Sequence, residues 1–257
     1  MLSRAEGGIH TFTIHRPARR NALTPALARR LAAAVDAVAE RNDGRAIVLR
    51  GAGGHFSAGL DLRWLQSLGA IPAVADLQHG LSDFQSAVLA VARCPLPVVA
   101  VVEGTAAGFG LDLALACDLR IASSDARLTS AFARMGLVPD GGSTFTLPRL
   151  TGLGQALRLL LAGDTLDAEG ARSIGLVDEV VEPGDLDSRL AVLLEGVAAA
   201  APMSVRAIKR LVRGAELGAL EQAMAAEGAA QLQALQSEEF RRRLAAFATR
   251  TARPEGP

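Results

Sequence analysis

The stretch Val98 to Gly142 decides the fold of this chain, and it reads VVAVVEGTAAGFGLDLALACDLRIASSDARLTSAFARMGLVPDGG. It begins with a β-branched apolar run, Val98 to Val102, passes a turn of small residues between Gly104 and Gly110, and continues in a helical pattern. This order predicts a strand, a tight turn and a helix whose first N–H groups face a ligand. Polarisation of a carbonyl or of an anion is a plausible use for such a turn.

Two acidic residues flank this turn. Asp112 lies in the helical pattern, and Asp140 follows Pro139 in a turn before a helix that is expected to begin near Ser143. Each acid has a structural alternative: Asp140 as a turn residue that caps the next helix, and Asp112 as a polar residue bonded to backbone or solvent. Both carboxylates are candidates for acid–base catalysis.

The composition excludes several classes of protein. The chain has 257 residues, 50% of them hydrophobic, which suits one α/β domain with an appended helical segment and excludes disorder and fibre. Lys plus Arg and Asp plus Glu are both 27, so no global field favours nucleic acid or an acidic membrane surface. No apolar run approaches the ~20 residues that span a bilayer, and the N-terminus lacks the apolar core of a signal peptide. A cytoplasmic protein with neither a nucleic-acid nor a membrane partner is expected.

The sequence lacks the motifs of several familiar chemistries. Cys94 and Cys117 lie among apolar residues, which predicts reduced, buried thiols rather than a disulfide. The histidines are scattered without the spacing of metal ligands. The chain has two glycine-rich loops, Gly51 to Gly59 and Gly104 to Gly110, and neither continues into a nucleotide-binding motif. A hydrolase nucleophile at Ser57 would need glycine two residues earlier, where this chain has His55. No metal is implied.

Strand, loop and helix units alternate along most of the chain, which predicts parallel crossovers with ligands at the carboxyl ends of the strands. From 185 onward three or four helices are expected, with breaks near Pro202 and Gly214. Their apolar stripes need cover from the same or a neighbouring subunit. The patterns predict strands at 9–14, 46–49, 98–102, 119–122 and 177–181, and helices after Thr24 and at 60–65, 73–92, 144–150, 153–161 and 168–174.

Four sequence blocks, in this order, carry a family resemblance. They are His15–Pro17 followed by Asn21–Leu23, then Phe56–Asp61, then Glu103–Gly110 with Ala116–Asp118, and Gly136–Gly142. On these blocks the chain resembles the crotonase, or enoyl-CoA hydratase/isomerase, superfamily over nearly its whole length.

The resemblance implies an α/β fold built as a spiral of ββα units over residues 1–195. It also implies a C-terminal helical region, 196–257, that assembles trimers and often hexamers. The ligand would be an acyl-CoA thioester lying across the two glycine-rich loops. Coenzyme A is then part of the substrate, and no separate cofactor is expected.

The resemblance also assigns an oxyanion hole to the backbone N–H groups of Ala58 and Phe109, because removing a proton beside a thioester places negative charge on its oxygen. Basic and aromatic residues are expected at the phosphates and adenine of coenzyme A, with a solvated basic surface as the alternative. The tail of the chain would come from the same or a neighbouring subunit. The implied substrate contacts are Arg19, Arg20, Ser57, Gly59, Asp61, Leu62, Gly108, Phe132, Phe247 and Arg250.

The positions of the acidic residues distinguish the hydratase and isomerase branches of this superfamily. Hydratases of this family carry one glutamate at the position of Asp112 and a second at the position that here is Phe132, and a phenylalanine cannot do acid–base work. Asp140 stands where double-bond isomerases carry Asp or Glu. The dienoyl-CoA isomerase branch is the most similar, although it keeps a glutamate at the Phe132 position.

The expected function is therefore an enoyl- or dienoyl-CoA isomerase. Asp140 would remove a proton from C2, and a proton would return at a more distant carbon, with Asp112 as a second acid–base group or as an orienting group. One alternative is a hydratase, or a related acyl-CoA hydrolase or lyase, in which Asp112 or Asp140 activates water. Another is a non-catalytic binding protein or RNA-binding relative of the same fold, which neutral charge and the retained loops disfavour.

Overall fold

The structure, a computed structural model, describes residues 1–69 and 72–251, without the side chains of 248–251. A six-stranded sheet forms its centre, in the spatial order β1-β2-β3-β4-β6-β9. The β1–β2 pair is antiparallel, and every other neighbouring pair in this sheet is parallel. A smaller sheet has the order β5-β7-β8. The strands are β1 (Leu2–Glu6), β2 (Ile9–Ile14), β3 (Ala46–Gly51), β4 (Val98–Val102), β5 (Thr105–Ala107), β6 (Leu119–Ser123), β7 (Arg127–Thr129), β8 (Thr165–Asp167) and β9 (Glu179–Val181).

Helices cover both faces of the large sheet and form the C-terminal region. Helix α1 begins where Thr24 predicts, because the Thr24 hydroxyl accepts a hydrogen bond from the Leu27 N–H at 3.4 Å and Pro25 occupies the first helical position. The helices are α1 (Pro25–Ala39), α2 (Leu62–Ser67), α3 (Val74–Arg93), α4 (Phe109–Ala116), α5 (Ser143–Thr151), α6 (Leu153–Ala162), α7 (Ala168–Ser173), α8 (Leu186–Ala199), α9 (Pro202–Gln236) and α10 (Glu238–Thr251).

Strand β4 is buried on both faces, which explains its uninterrupted apolar sequence. Val98, Ala100 and Val102 face the main core, which includes side chains of α1 and α3. Val99 and Val101 face a second cluster that is closed by three leucines of α8. The central strand thus fixes the position of the turn that follows it.

The sequence predicts the strands and helices of the core within a few residues, but it misses the short strands β1, β5, β7 and β8. Their three to five residues are too few for a periodic pattern to stand out. The tail contains three helices in the described range, and the predicted break near Pro202 is confirmed.

The predicted break near Gly214 is wrong, because α9 runs unbroken from Pro202 to Gln236. A glycine inside a helix costs only about 1 kcal/mol, which packing of the helix offsets. From Leu220 onward the apolar stripe of α9 is covered by its own subunit, since Leu220, Met224 and Leu235 belong to the main core.

The predicted boundary at 195/196 falls inside α8, whose leucines belong to the core of the large sheet. Packing of α8 against that core extends to Val197. Helix α9 is anchored by Asp118, which follows α4. The Asp118 carboxylate lies 2.5 Å from Lys209 Nζ and 3.1 Å from Arg213 Nε. A division between α8 and α9 therefore agrees better with the packing.

No single helix among the described residues is long and apolar enough to cross a membrane; only the bent pair Pro183–Ala199 and Pro202–Gln236, at 102°, reaches that length and hydropathy together.

Candidate active site

The two glycine-rich loops meet beside the small sheet. The Ser57 N–H donates to the carbonyl of Thr105, and the Ala107 N–H donates to the carbonyl of Ser57, both at 2.9 Å. Gly59 has a φ of +81°, and a Cβ at this position would lie 2.5 Å from the Ala107 oxygen. Glycine is required here for both reasons, since the left-handed backbone and the close approach exclude a side chain. The fold thus brings the predicted loops into contact.

The structure contradicts the predicted role of Ala58. Its N–H already donates to the carbonyl of Arg20 at 2.8 Å, so it is not available to a ligand. Leu60, two residues later, lies between the Gly59 carbonyl and the Asp61 N–H, which both bond to Leu23. This is a parallel β-bridge, in which the middle residue directs its own N–H away from the partner strand. Leu60, which the sequence reasoning missed, therefore replaces Ala58 as the available donor of this loop.

Phe109 supplies the second N–H. It begins α4 after Gly108, whose φ of 51° and ψ of −125° turn the chain sharply, and no side chain caps this helix. Within the described residues, the N–H groups of Leu60 and Phe109 donate to no protein acceptor. They are neighbours, because a Cβ on Gly59 would lie 3.1 Å from the Phe109 nitrogen.

A cavity of about 600 Å³ opens beside these donors. Its wall is largely apolar and aromatic, and its rim carries arginines. Phe84 and Phe109 pack edge to face, with ring centroids 4.7 Å apart. Such a wall suits an apolar acyl group. The principal apolar lining residues are Leu60, Trp64, Leu77, Phe84, Phe109, Phe132, Leu137, Leu235 and Phe247.

Asp140 lines this cavity and is 8% exposed. Its Oδ2 accepts a hydrogen bond from Gln231 Nε2 at 3.3 Å, and its Oδ1 is buried without a protein partner in the described chain. Burial raises the pKa of Asp140 to about 7, with the Gln231 hydrogen bond opposing and the Glu227 charge adding to the rise. The carboxyl group does not cap α5, whose N-cap is Gly142. Asp140 is thus poised to give or take a proton near neutral pH.

Asp112 lies behind the turn that carries Asp140 and outside the cavity wall. Its Oδ2 accepts the Gly141 N–H at 3.1 Å, and it is 1% exposed. Burial raises its pKa well above the usual range, and the charges of Glu227 and Asp140 raise it further. Of its two interpretations, bonding to backbone is the one that the geometry favours.

Two further polar residues of the site come from α9, and the sequence reasoning missed both. Glu227 accepts the N–H groups of Gly142 and Thr144 at 2.6 and 2.8 Å, so it caps α5 from a distant helix. Gln231 joins Val138 to Asp140. Glu227 and Gln231 are four residues apart, so both lie on the buried face of α9. In the sequence, a pair of polar residues within an apolar stripe is the signal that could have indicated their role.

The remaining predicted contacts fall into two groups. Arg19, Arg20, Asp61 and Leu62 line the cavity, although the Asp61 carboxylate also pairs with Arg16 at 2.6 Å and accepts the Arg63 N–H as the N-cap of α2. Gly108, Phe132 and Phe247 line it as well, so the tail meets the cavity of its own chain. Ser57 and Gly59 do not line it: the Ser57 hydroxyl donates to the Asn21 carbonyl and accepts the Gly59 N–H. The side chain of Arg250 is outside the described residues.

Among residues 1–69 and 72–251, no group of three or more His, Cys, Asp or Glu side chains is arranged to hold a metal ion. Cys94 and Cys117 are both buried free thiols, as expected. Burial raises the pKa of Cys117 to about 12, which keeps this thiol protonated at neutral pH.

Residues 4–254 match the family model described as enoyl-CoA hydratase/isomerase. The chain belongs to this family. Within it, the chain is 34% identical over 250 residues to 1,2-epoxyphenylacetyl-CoA isomerase of Escherichia coli strain K12, covering 96% of this chain and 94% of the relative. It is also 36% identical over 245 residues to a probable enoyl-CoA hydratase of Rhodobacter capsulatus, covering 93% and 91%.

The fold agrees with solved structures of the enoyl-CoA hydratase/isomerase family. The crystal structure of an enoyl-CoA hydratase from Bacillus halodurans superposes with a TM-score of 0.90 at 28% identity, over 95% of this chain and 98% of that one. The crotonase-like fold and an acyl-CoA thioester substrate are thereby confirmed. Similar relatives carry both isomerase and hydratase names, so the family alone leaves the reaction open.

Proposed function

We propose that this enzyme moves a carbon–carbon double bond of an enoyl- or dienoyl-CoA. The observation that carries the proposal is that Asp140 and Phe132 line the same cavity. Asp140 offers a carboxyl group with a pKa of about 7, while Phe132 occupies the position where hydratases hold their second glutamate. The other acid of the wall, Asp61, is held by Arg16.

The reaction then needs one acid–base group and two N–H donors. The Asp140 carboxylate takes the proton from C2 of a 3-enoyl thioester, and the electrons of that bond move onto the thioester oxygen. The N–H groups of Leu60 and Phe109 stabilise this enolate, and losing one such donor typically lowers the rate by about 10²–10³. The protonated Asp140 then returns the proton to C4, which leaves a 2-enoyl thioester.

A single carboxyl group suits this transfer. A group with a pKa of about 7 is present as both base and acid near neutral pH, so it can remove and return the same proton. Hydration needs in addition a group that holds the attacking water, and Phe132 cannot fill that role. The isomerase name of one relative supports the proposal, whereas the hydratase name of another makes hydration the competing reaction.

Isomerisation of a 3-enoyl-CoA to the 2-enoyl-CoA is the direct test, measured for the wild type, Asp140→Asn and Asp112→Asn. We expect Asp140→Asn to lose about 10³-fold or more in kcat, because its amide cannot accept the C2 proton. Asp112→Asn is the matched control: its amide oxygen still accepts the Gly141 N–H, so a loss within about tenfold is expected. Full turnover by Asp140→Asn would refute the mechanism, and hydration of crotonyl-CoA faster than isomerisation would make the enzyme a hydratase.

We further infer that the coenzyme A part of the substrate lies along Arg19 and Arg20, which border the cavity. Guanidinium groups bind phosphates through paired hydrogen bonds. The reaction proposed above requires no separate cofactor. Charge-reversed variants of the two arginines should raise KM for the thioester and leave kcat largely unchanged.

Assembly into trimers or hexamers is likewise proposed. Two helices present exposed apolar side chains that no other part of the described chain covers: Leu153, Leu157 and Leu161 on α6, and Met203, Ile208, Leu211 and Val212 on α9. Leu161 and Leu211 are 72% and 74% exposed. Sedimentation of the wild type and of a Leu211→Asp variant tests this, since a buried charge at the interface should shift the mass towards the monomer.

A further inference from the structure

We propose that Gln231 is a positioning residue of the site: its side-chain amide binds Oδ2 of Asp140 and holds this carboxyl group in the orientation in which it exchanges a proton with the substrate. The inference rests on the proposed role of Asp140 and deepens it. Gln231 is 1% exposed and comes from α9, far from Asp140 in sequence.

The orientation of the Gln231 amide follows from its two partners. The Val138 N–H can only donate, so the atom that lies 2.9 Å from it must be the side-chain carbonyl oxygen. The amide nitrogen is then the atom 3.3 Å from Asp140 Oδ2, and it donates to that oxygen. The backbone of the same segment therefore fixes which end of Gln231 faces the acid.

This contact makes the two carboxylate oxygens of Asp140 unequal. Oδ2 has a donor, whereas Oδ1 is buried and has no protein partner in the described chain. A bare, desolvated oxygen is the more basic of the two, and the N–H at Oδ2 stabilises the ionised form. Gln231 thus orients the carboxyl group and limits the rise in the Asp140 pKa that burial causes.

The turn that carries Asp140 does not depend on Gln231 alone. Asp112 holds the Gly141 N–H, and Glu227 holds the N–H groups of Gly142 and Thr144. Loss of the Gln231 side chain should consequently alter the acid without unfolding the turn. The charged groups nearest Asp140 are these two acids, and the cavity wall also carries Arg19, Arg20, Asp61 and Arg63.

The test uses the exchange of the C2 protons of phenylacetyl-CoA for deuterium in D2O, followed by NMR. This thioester has no double bond to move, so the exchange reports proton removal by Asp140 even if isomerisation is not the reaction. Rate against pH is measured for the wild type, Gln231→Met, Gln231→Glu and the control Gln233→Met, which lies on the exposed face of the same helix.

For Gln231→Met we expect the midpoint of the pH profile to rise by about one pH unit or more, because the donor to the ionised carboxylate is lost. The rate near pH 7 should fall about fivefold or more, with KM changed less than about twofold. Gln231→Glu keeps an acceptor for the Val138 N–H but places oxygen against oxygen, so its midpoint should rise further. Gln233→Met should match the wild type.

A folded Gln231 variant with an unchanged midpoint would overturn the proposal, since a purely structural role predicts lower stability at constant midpoint. Unfolding of both Gln231 variants would also overturn it, because Asp112 and Glu227 would then be insufficient to hold the turn. Exchange in the wild type without isomerisation would contradict the proposed function alone.

Discussion

Asp140 should weaken the folded state at neutral pH, and Asp140→Asn should relieve that cost while abolishing activity. Its pKa is about 7 in the folded protein against an ordinary value of 3.8. A raised pKa means that the folded chain binds the proton more tightly, so this group contributes stability below pH 4 that is lost as the pH rises to 7. The asparagine carries no charge to bury and should escape this loss.

The magnitude follows from the shift. The difference of about 3 pH units, at about 1.36 kcal/mol per unit, corresponds to about 4 kcal/mol in the free energy of unfolding. The asparagine side chain of the variant keeps an oxygen for Gln231, so the site loses no hydrogen bond. We expect the stability advantage of Asp140→Asn to be near zero at pH 4, to grow between pH 4 and 7, and to level off above pH 7.

Urea unfolding at fixed protein concentration, followed by circular dichroism from pH 4 to 8, measures this advantage directly. Asp36→Asn on the exposed face of α1 is the control, and it should show no comparable pH-dependent gain. An advantage that stays constant with pH, or an Asp140→Asn protein less stable than the wild type at pH 8, would refute the reasoning that burial raises the pKa of Asp140.

Three further substitutions test other parts of the site and fold. Gly59→Ala places a Cβ 2.5 Å from the Ala107 oxygen, so kcat should fall by about 10²-fold or more as the two donor loops separate, and a rate within about twofold of wild type would contradict this. Glu227→Ala removes three hydrogen bonds at the start of α5 and should cost about 3 kcal/mol in urea unfolding, with Glu227→Gln less affected. Lys209→Met leaves Asp118 with one partner fewer and should lower Tm, whereas exposed Arg210→Met should not.

The two acidic residues Asp140 and Asp112 show how far the sequence alone predicts the site. The turn chemistry around Pro139 and Gly141 predicts that Asp140 lies in a turn. The family resemblance implies that this acid is at the site and that Phe132 replaces a second one. The sequence left Asp112 between catalysis and structure, because both interpretations need only a carboxylate on α4. The structure favours the second, since Gly141 packs directly on that carboxylate: a Cβ there would lie 2.6 Å from Asp112 Cβ.

The structure contradicts one of the two N–H donors that the family resemblance implies. The N–H of the other, Phe109, has no protein acceptor within the described residues. The implied donor of the preceding loop, Ala58, lies two residues before Leu60, whose N–H is the available one. The direction of an N–H in an irregular loop depends on the strand that it pairs with, and here that partner is Leu23.

The sequence by itself determined the order of the core strands and helices apart from the short strands β1, β5, β7 and β8, the two glycine-rich loops and the acid at 140, because periodicity, turn chemistry and the family blocks are local properties of the chain. Tertiary structure alone decided which N–H groups stay free, that α9 brings Glu227 and Gln231 to the turn, and that burial moves the pKa of Asp140 to about 7. The free N–H groups depend on the pairing of the loop with Leu23, and the contacts of Glu227 and Gln231 join residues about 90 positions apart, which only the packing of α9 against the turn brings together.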